Sequence, residues 1–445
     1  MPEHVTAEAS RTRMPRWLIP VLVFGAVCPI LTMFVLWVGP LSHGLTHTQG
    51  IAVAMRGFAN MWFAGSVATT QPDALSDPSL YTSLLRNTLG TGFPSQAWGY
   101  PPSMLFIAVP LSMLPLLMAF TLWTVTGIFL FHRACARAGD RALPQVIATV
   151  CMLSPALAEN ALSGQTGALA GAVLLAGLLG TRTPAASGIL LGLLSLKPQM
   201  GLLLPVHLWM SGRLLTLLWA GLSAVGLAAL SLLVFGWQPW HAFLSGGGGV
   251  GSMMQAPWSG APAQTGFTSP FMAFRALAAP LWMAWTLQGC ITLVCIITCS
   301  YASRNKASAA RKRELLPLQV GLVIALDLLA TPYSHAYDMP ALAVVVAMLC
   351  HDRLRHGPLC GALRFLELPF LCMAWVWPGA MVMLPALIPD VAWCSPVLGA
   401  TSLAGTSWVA WTRLHAARHR TSENPGHPGL AGNNGIENKA SLVTQ

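Results

Sequence analysis

The sequence contains very little charge. Only 9% of its 445 residues are Asp, Glu, Lys or Arg and 55% are hydrophobic, whereas a soluble domain carries about 25% charged residues. The polar side chains are too few to cover a water-facing surface, which excludes a soluble globular protein. Apolar runs of about 18 or more residues recur, the length that a helix needs to cross a bilayer. These runs lack the apolar-polar alternation of membrane β-strands, so we predict an all-α, polytopic transmembrane bundle.

Several catalytic and binding signatures are also missing. The ten cysteines include no C-x-x-C pair, and several lie inside apolar runs, where a thiol packs as a small apolar group. The sequence shows no zinc-ligand spacing, no phosphate-binding glycine loop and no Ser-His-Asp order, and nothing in it indicates nucleic acid as a partner. No internal repeat is evident, which weakens an inverted-repeat transporter interpretation.

The positive charges predict how the chain is oriented. The net charge is +10, and the cations lie mostly in short loops between apolar runs, where Lys and Arg mark the cytoplasmic side. We place all but four of the 24 Lys and Arg residues on that side, together with both termini. This predicts a cytoplasmic N-terminus at 1–17, a transmembrane bundle at 18–412 and a disordered, Gly-, Asn- and Pro-rich cytoplasmic tail at 413–445. The four exceptions, all in or beside outer segments, are Arg56, Arg86, Lys197 and Arg275.

Within the bundle we predict about 10–12 helices. They lie at about 18–38, 103–131, 145–158, 166–180, 186–196, 200–210, 214–235, 286–301, 315–331, 339–350, 362–380 and 393–412. Pro110 and Pro115 are expected to divide the second run into a short entry helix and a full one. Two long outer loops remain. The first, at 39–101, contains a helix-like stretch at 50–68, and the second, at 237–270, is rich in Gly and Trp and is interpreted as a mobile lid on the bilayer.

The polar segment 330–340 lies between two long apolar runs. It holds Tyr333 and Tyr337, two of the chain's five tyrosines, together with His335 and Asp338. A polar cluster at the end of a membrane helix is costly unless it meets water, a partner or a substrate. We therefore predict that this segment forms one wall of an active site.

A set of short motifs resembles one known family. In chain order they are Phe58 to Gly65, Tyr100-Pro101-Pro102, Gly164-Gln165, Lys197-Pro198-Gln199 and Thr331-Pro332-Tyr333 with Tyr337-Asp338. Their order and spacing over about residues 50–350 resemble glycosyltransferase family 87 of the GT-C superfamily. The resemblance implies a GT-C-like membrane glycosyltransferase with a polyprenyl-phosphate sugar donor, often of mannose, and a lipid or glycan acceptor. It also implies an active site that faces the periplasm from the bacterial cytoplasmic membrane.

One position departs from the family pattern. Members commonly carry Asp directly before the Phe of the first-loop motif, where the resemblance implies a base or metal-site carboxylate, and this sequence has Gly57 there. Asp73 or Asp77 of the same loop, or Asp338, are the candidates to replace it. The alternative is a weak or inactive enzyme. No metal ligand or cofactor is assigned, and participation of a divalent metal stays open.

Two cations are candidates for binding the donor phosphate. Lys197 lies inside an apolar run, where its charge is costly without an anion, and lysine suits phosphate as a point charge. Arg56 is the second candidate. The structural alternatives are that Lys197 extends to the interface and that Arg56 is a solvated loop cation. Arg86 and Arg275 are expected to meet membrane lipid headgroups.

Residues of the central segment have two interpretations each. His335 and Asp338 form an acid/base pair, because His titrates near neutral pH, or Asp338 caps the following helix. Tyr333 and Tyr337 stack on a sugar ring, or they belong to the aromatic belt of the interface.

Polar residues elsewhere complete the predicted site. Gln165 and Gln199 bind sugar hydroxyls or simply occupy polar turns. Tyr100 is a substrate-binding candidate within a mainly architectural Tyr-Pro-Pro turn, and Glu159, at a helix end, is expected to be structural. The alternative to an enzyme is an inactive homologue or a transporter that binds or moves polyprenyl-linked sugars in the same cavity.

Overall fold

A computed structural model describes residues 55–142, 145–180, 183–245, 254–260, 262–304, 308–361 and 363–420. The predicted N-terminus 1–17, the predicted helix 18–38 and loop residues 39–54 lie outside these ranges. So do residues 246–253 of the predicted lid and residues 421–445 of the predicted tail. The described ranges are helical without β-strands, apart from one isolated antiparallel bridge between Phe267 and His335. The predicted all-α class is therefore confirmed.

The described ranges contain eighteen α-helices, numbered in chain order. They are α1 Arg56–Thr70, α2 Pro78–Leu89, α3 Leu105–Ser112, α4 Leu116–Ala142, α5 Gln145–Val150, α6 Pro155–Ser163, α7 Gly167–Leu175, α8 Pro184–Gly192, α9 Leu204–Met210, α10 Leu214–Phe235, α11 Trp237–Leu244, α12 Pro262–Thr265, α13 Pro270–Ala276, α14 Leu281–Ser303, α15 Ala309–Ala330, α16 Pro340–His356, α17 Leu363–Leu387 and α18 Cys394–His419. Short 3₁₀ helices lie at Pro72–Ser76, Pro102–Met104, Cys151–Leu153, Leu193–Leu196, Pro198–Gly201, Ala336–Asp338 and Pro389–Val391, and a π-helical turn lies at Ala176–Gly180.

Three of the described helices are long and apolar enough to cross a membrane. They span Leu116–Ala138 within α4, Leu214–Phe235 and Leu281–Ser303. In α10 only Thr216 and Ser231 are buried, and its large apolar side chains are exposed. An apolar surface of this extent is unfavourable in water and suits contact with lipid. The chain is therefore a membrane protein, and the predicted total of 10–12 crossings stays a prediction.

Proline sets several helix boundaries. The run predicted at 103–131 is divided as expected, because α3 ends at Ser112 and α4 begins at Leu116, just after Pro115. Proline is the first residue of several helices, including α2, α6, α8, α13 and α16. The N–H of a first-turn residue has no acceptor within the helix, so the missing N–H of proline costs nothing there. The chain therefore enters many helices through sharp turns, and these turns carry most of the polar motifs.

Helices α15 and α16 lie at the centre of the largest apolar core. Residues 318–330 of α15 and residues 340–349 of α16 are buried, and α15 packs against α14, α16 and α18. The turn between α15 and α16 is the predicted central segment. Two buried helices thus hold that segment from both sides.

A network of buried ions joins the far ends of α16, α17 and α18. Arg413 is only 2% exposed. It donates to Asp352 at 2.6 Å and also pairs with Glu367. The tail is predicted to start at 413, but α18 continues to His419. These two carboxylates compensate the buried Arg413 charge within that helix.

Candidate active site

The central segment forms a compact turn at the end of α15. A 3₁₀ helix, Ala336–Asp338, leads into α16 at Pro340. Asp338 is fully buried. One carboxylate oxygen accepts the backbone N–H of His335 at 3.2 Å, and the His335 side chain accepts the backbone N–H of Asp338 in return. This reciprocal cap satisfies two donors at the start of the turn and fixes the Asp338 side chain.

The other oxygen of Asp338 forms a buried ion pair with the ammonium of Lys197. Lys197 is 4% exposed and lies between two 3₁₀ helices, where Pro198 prevents the chain from continuing as a helix. Its ammonium is 4.9 Å from the centre of the Tyr337 ring, a cation–π distance. The structure therefore brings together two predicted site segments that are 141 residues apart. An ammonium has three donors, so Lys197 keeps capacity for an anion while bound to Asp338.

Aromatic rings surround the central segment. The His335 ring stacks on the Tyr337 ring with centroids 4.4 Å apart and an angle of 8° between the planes. The Phe267 ring lies 4.2 Å from His335 on centroids. The loop that contains Phe267 also pairs with the segment through backbone hydrogen bonds, from Thr268 to Ser334 and from Ala336 to Gly266, both 2.9 Å long. The described end of the predicted lid is therefore docked against the central segment.

A second group of predicted residues lies where α1 begins. Arg56 is the first residue of α1 and is half-buried. The hydroxyl of Tyr100 donates to the side-chain oxygen of Gln165 at 3.0 Å. A Cβ atom on Gly57 would overlap the Gln165 amide and lie 2.9 Å from the carbonyl oxygen of Ser163. The Gln165 side chain thus occupies the space where a residue-57 side chain would start.

Helix α6 brings the two groups together. Asn160 is buried and donates to the carbonyl oxygen of Tyr337 at 2.9 Å, while its own side-chain oxygen accepts the N–H of Ala168 at 3.2 Å. Gly167 makes this contact feasible, because a Cβ atom there would overlap the Tyr337 carbonyl oxygen. The turn after α6 carries Gln165, so one short helix touches both the central segment and the start of α1.

Glu159 also belongs to this cluster, although the sequence indicated only a structural residue. It lies on α6, outside the three candidate spans, and is 7% exposed. Burial raises the pKa of Glu159 from 4.5 to about 8, while the neighbouring Arg56 and Lys197 charges lower it and Asp338 raises it. The missed signal was its position next to the Gly164-Gln165 motif on a helix too short to span a bilayer.

Four predicted site residues lie outside this cluster. Asp77 accepts the N–H groups of Ser79 and Leu80 and so caps α2, and Asp73 is exposed on the preceding 3₁₀ helix. Tyr333 packs with the apolar group around Phe267. Gln199 is half-buried on the 3₁₀ helix after Lys197. Across the ranges that the structure describes, none of the four makes a hydrogen bond with the side chains of Lys197 or Asp338, and their roles remain predictions.

A cleft begins beside the cluster and lies against the candidate span of α4. Asn160 and Gln165 line its polar part. Its apolar part is formed by α4 and α7, through Trp123, Gly127, Ile128, Ala168 and Leu169. Ile128 belongs to an exposed apolar face of α4. The cleft is small, and it lies between the polar cluster and the exposed apolar face of α4.

No three His, Cys, Asp or Glu side chains converge as metal ligands within the described ranges. These residues therefore offer no ligand set for a divalent metal, and whether the reaction uses one stays a prediction.

The crowding at Gly57 predicts the effect of restoring a carboxylate there. A Gly57→Asp variant is expected to lose activity and stability, because the new side chain must displace Gln165 and crowd Ser163. A Gly57→Asp/Gln165→Ala variant is expected to recover part of the stability. Thermal unfolding and sugar transfer are the measurements, with Gln165→Ala alone as the control. A single Gly57→Asp variant more active than the wild type would contradict this packing.

Comparison with known proteins identifies one family. The model of glycosyltransferase family 87 matches residues 98–332, more than half of the 445-residue chain. The matched region contains Tyr100, Glu159, Gln165 and Lys197, and it ends at the start of the central segment. No curated protein and no solved structure matches the chain.

Proposed function

Because this chain belongs to glycosyltransferase family 87, we propose that it transfers a hexose, with mannose as the first choice, from a polyprenyl-phosphate donor to a lipid or glycan acceptor. Family membership makes it a glycosyltransferase with a sugar donor and an acceptor. The proposal adds the kind of donor, the sugar and the side of the membrane.

The convergence of Arg56, Lys197 and Glu159 around the central segment is the observation that carries the proposal. Transfer from a sugar phosphate needs cations that stabilise the leaving phosphate and a base that accepts the proton of the acceptor hydroxyl. Lys197 and Arg56 would bind the phosphate, and Asp338 would hold Lys197 in place. Tyr337, Tyr100 and Gln165 would contact the sugar, and His335 supports Tyr337 by stacking.

The cleft against α4 supports a lipid-linked donor. A polyprenyl chain is apolar along its length and carries its charge at one end. The apolar part of the cleft adjoins the exposed face of α4, and its polar part reaches Asn160 and Gln165 next to the cluster. A donor whose tail lies along the exposed face of α4 would pass this cleft and present its phosphosugar to the cations.

The two core helices support a site at the outer membrane face. Helix α15 carries Arg311, Lys312 and Arg313 near its start and ends at Ala330, next to the site. At 1.5 Å per residue these ends are about 30 Å apart, the thickness of the hydrocarbon core. Helix α16 runs from the site to Arg353 and Arg355 in its last turn. If positive residues mark the cytoplasm, the site faces the periplasm of the bacterial cytoplasmic membrane.

The proposal is tested by incubating the purified chain in lipid nanodiscs with labelled polyprenyl-phosphate mannose and membrane acceptors, with and without divalent cations. We expect label to move to the acceptor fraction. Binding of the donor without transfer under every metal condition would contradict the proposal and favour the binding or transport alternative.

The donor path gives a sharper version of this test. A Gly127→Leu variant fills the cleft, and we expect it to lower kcat/KM by about tenfold for a long-chain donor, roughly 1.4 kcal/mol, but not for a short-chain analogue. Gly127→Ala is the matched control, because its Cβ would stay 3.9 Å from Ala168 and Leu169. Equal losses with both donors would show that the polyprenyl chain of the donor does not lie along this cleft.

A further inference from the structure

Glu159 is buried, and no hydrogen bond within the described ranges compensates the desolvation of one of its oxygens. Within the described part of the chain, its Oε2 atom has no hydrogen-bond partner, and the residue is 7% exposed. A buried polar atom without a partner destabilises the fold. The neighbouring Asn160, by contrast, uses both its side-chain nitrogen and its side-chain oxygen. Adjacent residues on α6 thus differ: Asn160 anchors the helix, and Glu159 has a buried oxygen with no partner among the residues described.

Of the other carboxylates proposed for the site, Asp338 is engaged, and Asp77 and Asp73 lie outside the cluster. Asp338 uses one oxygen for Lys197 and the other for the His335 N–H. Asp77 caps α2, and Asp73 is exposed on the neighbouring 3₁₀ helix. Gly57 offers no side chain, and the space beside it is filled by Gln165. Glu159 is therefore the carboxyl group of this cluster with a buried oxygen that accepts no hydrogen bond from the described residues. Asp327 of α15 also has one such oxygen, but its other oxygen accepts the N–H of Leu203.

The charges that face Glu159 come from three other segments. Arg56 at the start of α1 and Lys197 between its two 3₁₀ helices lower the pKa of Glu159, and Asp338 raises it. Tyr337 interacts with Glu159 as well. Burial is the largest effect, and the resulting pKa of about 8 keeps the group protonated at pH 7 and ionised at more alkaline pH. A pKa near the working pH is what an efficient general base requires.

We propose that Glu159 is the general base that accepts the proton of the acceptor hydroxyl. This assignment deepens the proposed function and rests on it. The acceptor O–H bond breaks and its proton passes to Oε2 of Glu159, while the acceptor oxygen forms a bond to the anomeric carbon. The bond from that carbon to the phosphate oxygen breaks, and its electron pair stays on the phosphate, which Arg56 and Lys197 stabilise. Glu159 later releases the proton to solvent.

The test compares Glu159→Gln and Glu159→Asp with the wild type in nanodiscs. We expect Glu159→Gln to keep its fold and its binding of polyprenyl-phosphate mannose, but to lose roughly 10²–10⁴-fold in kcat. Glu159→Asp should retain part of the activity. Glu314→Gln is the matched control, because Glu314 lies near the start of α15 with its side chain 61% exposed, and its activity should equal that of the wild type.

The pH profile separates a base from a merely structural residue. Wild-type kcat/KM should rise with pH through an apparent pKa near 8, and this rise should disappear from the residual activity of Glu159→Gln. If the wild type transfers the sugar and Glu159→Gln turns over within about threefold of wild type, the Glu159 assignment is wrong but the proposed function stands. If the wild type binds the donor but transfers nothing, the proposed function fails, and the assignment fails with it.

Discussion

Replacing Lys197 by Ala is expected to abolish transfer and to lower the free energy of unfolding by about 3–5 kcal/mol. The variant would leave the Asp338 carboxylate fully buried without its cation. The loss is measured by thermal unfolding in detergent and by transfer of labelled mannose. A variant as stable as the wild type would show that the ion pair contributes nothing to the fold.

A double variant separates the structural role of the ion pair from its chemical role. Lys197→Met/Asp338→Leu replaces both charges by apolar groups, and such replacements of buried pairs are often neutral. We expect most of the stability to return and the activity to stay absent, because no cation then meets the donor phosphate. Turnover by this double variant would remove Lys197 from the phosphate site.

The second large effect is expected from Gly167→Ala. Its Cβ atom would overlap the Tyr337 carbonyl oxygen, which also accepts the Asn160 amide. The 3₁₀ helix Ala336–Asp338 must move away from α7, and this overpacking costs about 1–3 kcal/mol or more. We therefore expect a lower unfolding temperature and little or no transfer.

Gly127→Ala is the control for this variant too. Gly127 faces the same helix, α7, but its Cβ atom would make ordinary contacts of 3.9 Å with Ala168 and Leu169. Its unfolding temperature should be no lower than that of the wild type, because Ala is favoured over Gly inside a helix. Similar losses in both glycine variants would indicate general sensitivity of α7 rather than a specific contact at Tyr337.

The site residues differ in how visible they were in the sequence. Lys197 and Asp338 stand out in the sequence because a charge beside apolar residues is costly without a partner. The structure places them in one ion pair. Glu159 did not stand out, because a carboxylate at a helix end is common and usually structural. Its significance depends on burial and on Arg56, which lies more than a hundred positions earlier.

Two further predictions depended on contacts that the sequence does not show. The loop 237–270 was interpreted as a mobile lid from its Gly and Trp content, but its described part contains α11 and α12 and pairs with the central segment through Thr268 and Gly266. Tyr333 and Tyr337 looked equivalent in the sequence. Only Tyr337 lies beside Lys197, because the direction of each side chain depends on how the turn folds.

The sequence by itself determined the helical class, the membrane environment, the division of the run 103–131 at Pro115, and the segments that carry polar motifs. These follow from composition, run length and the missing N–H of proline, which act locally. The tertiary structure decided which segments meet. It joined α6 to the central segment through Gly167, filled the space at Gly57 with Gln165 and left Glu159 with a buried oxygen that no described residue hydrogen-bonds, because close contacts between distant segments depend on three-dimensional packing.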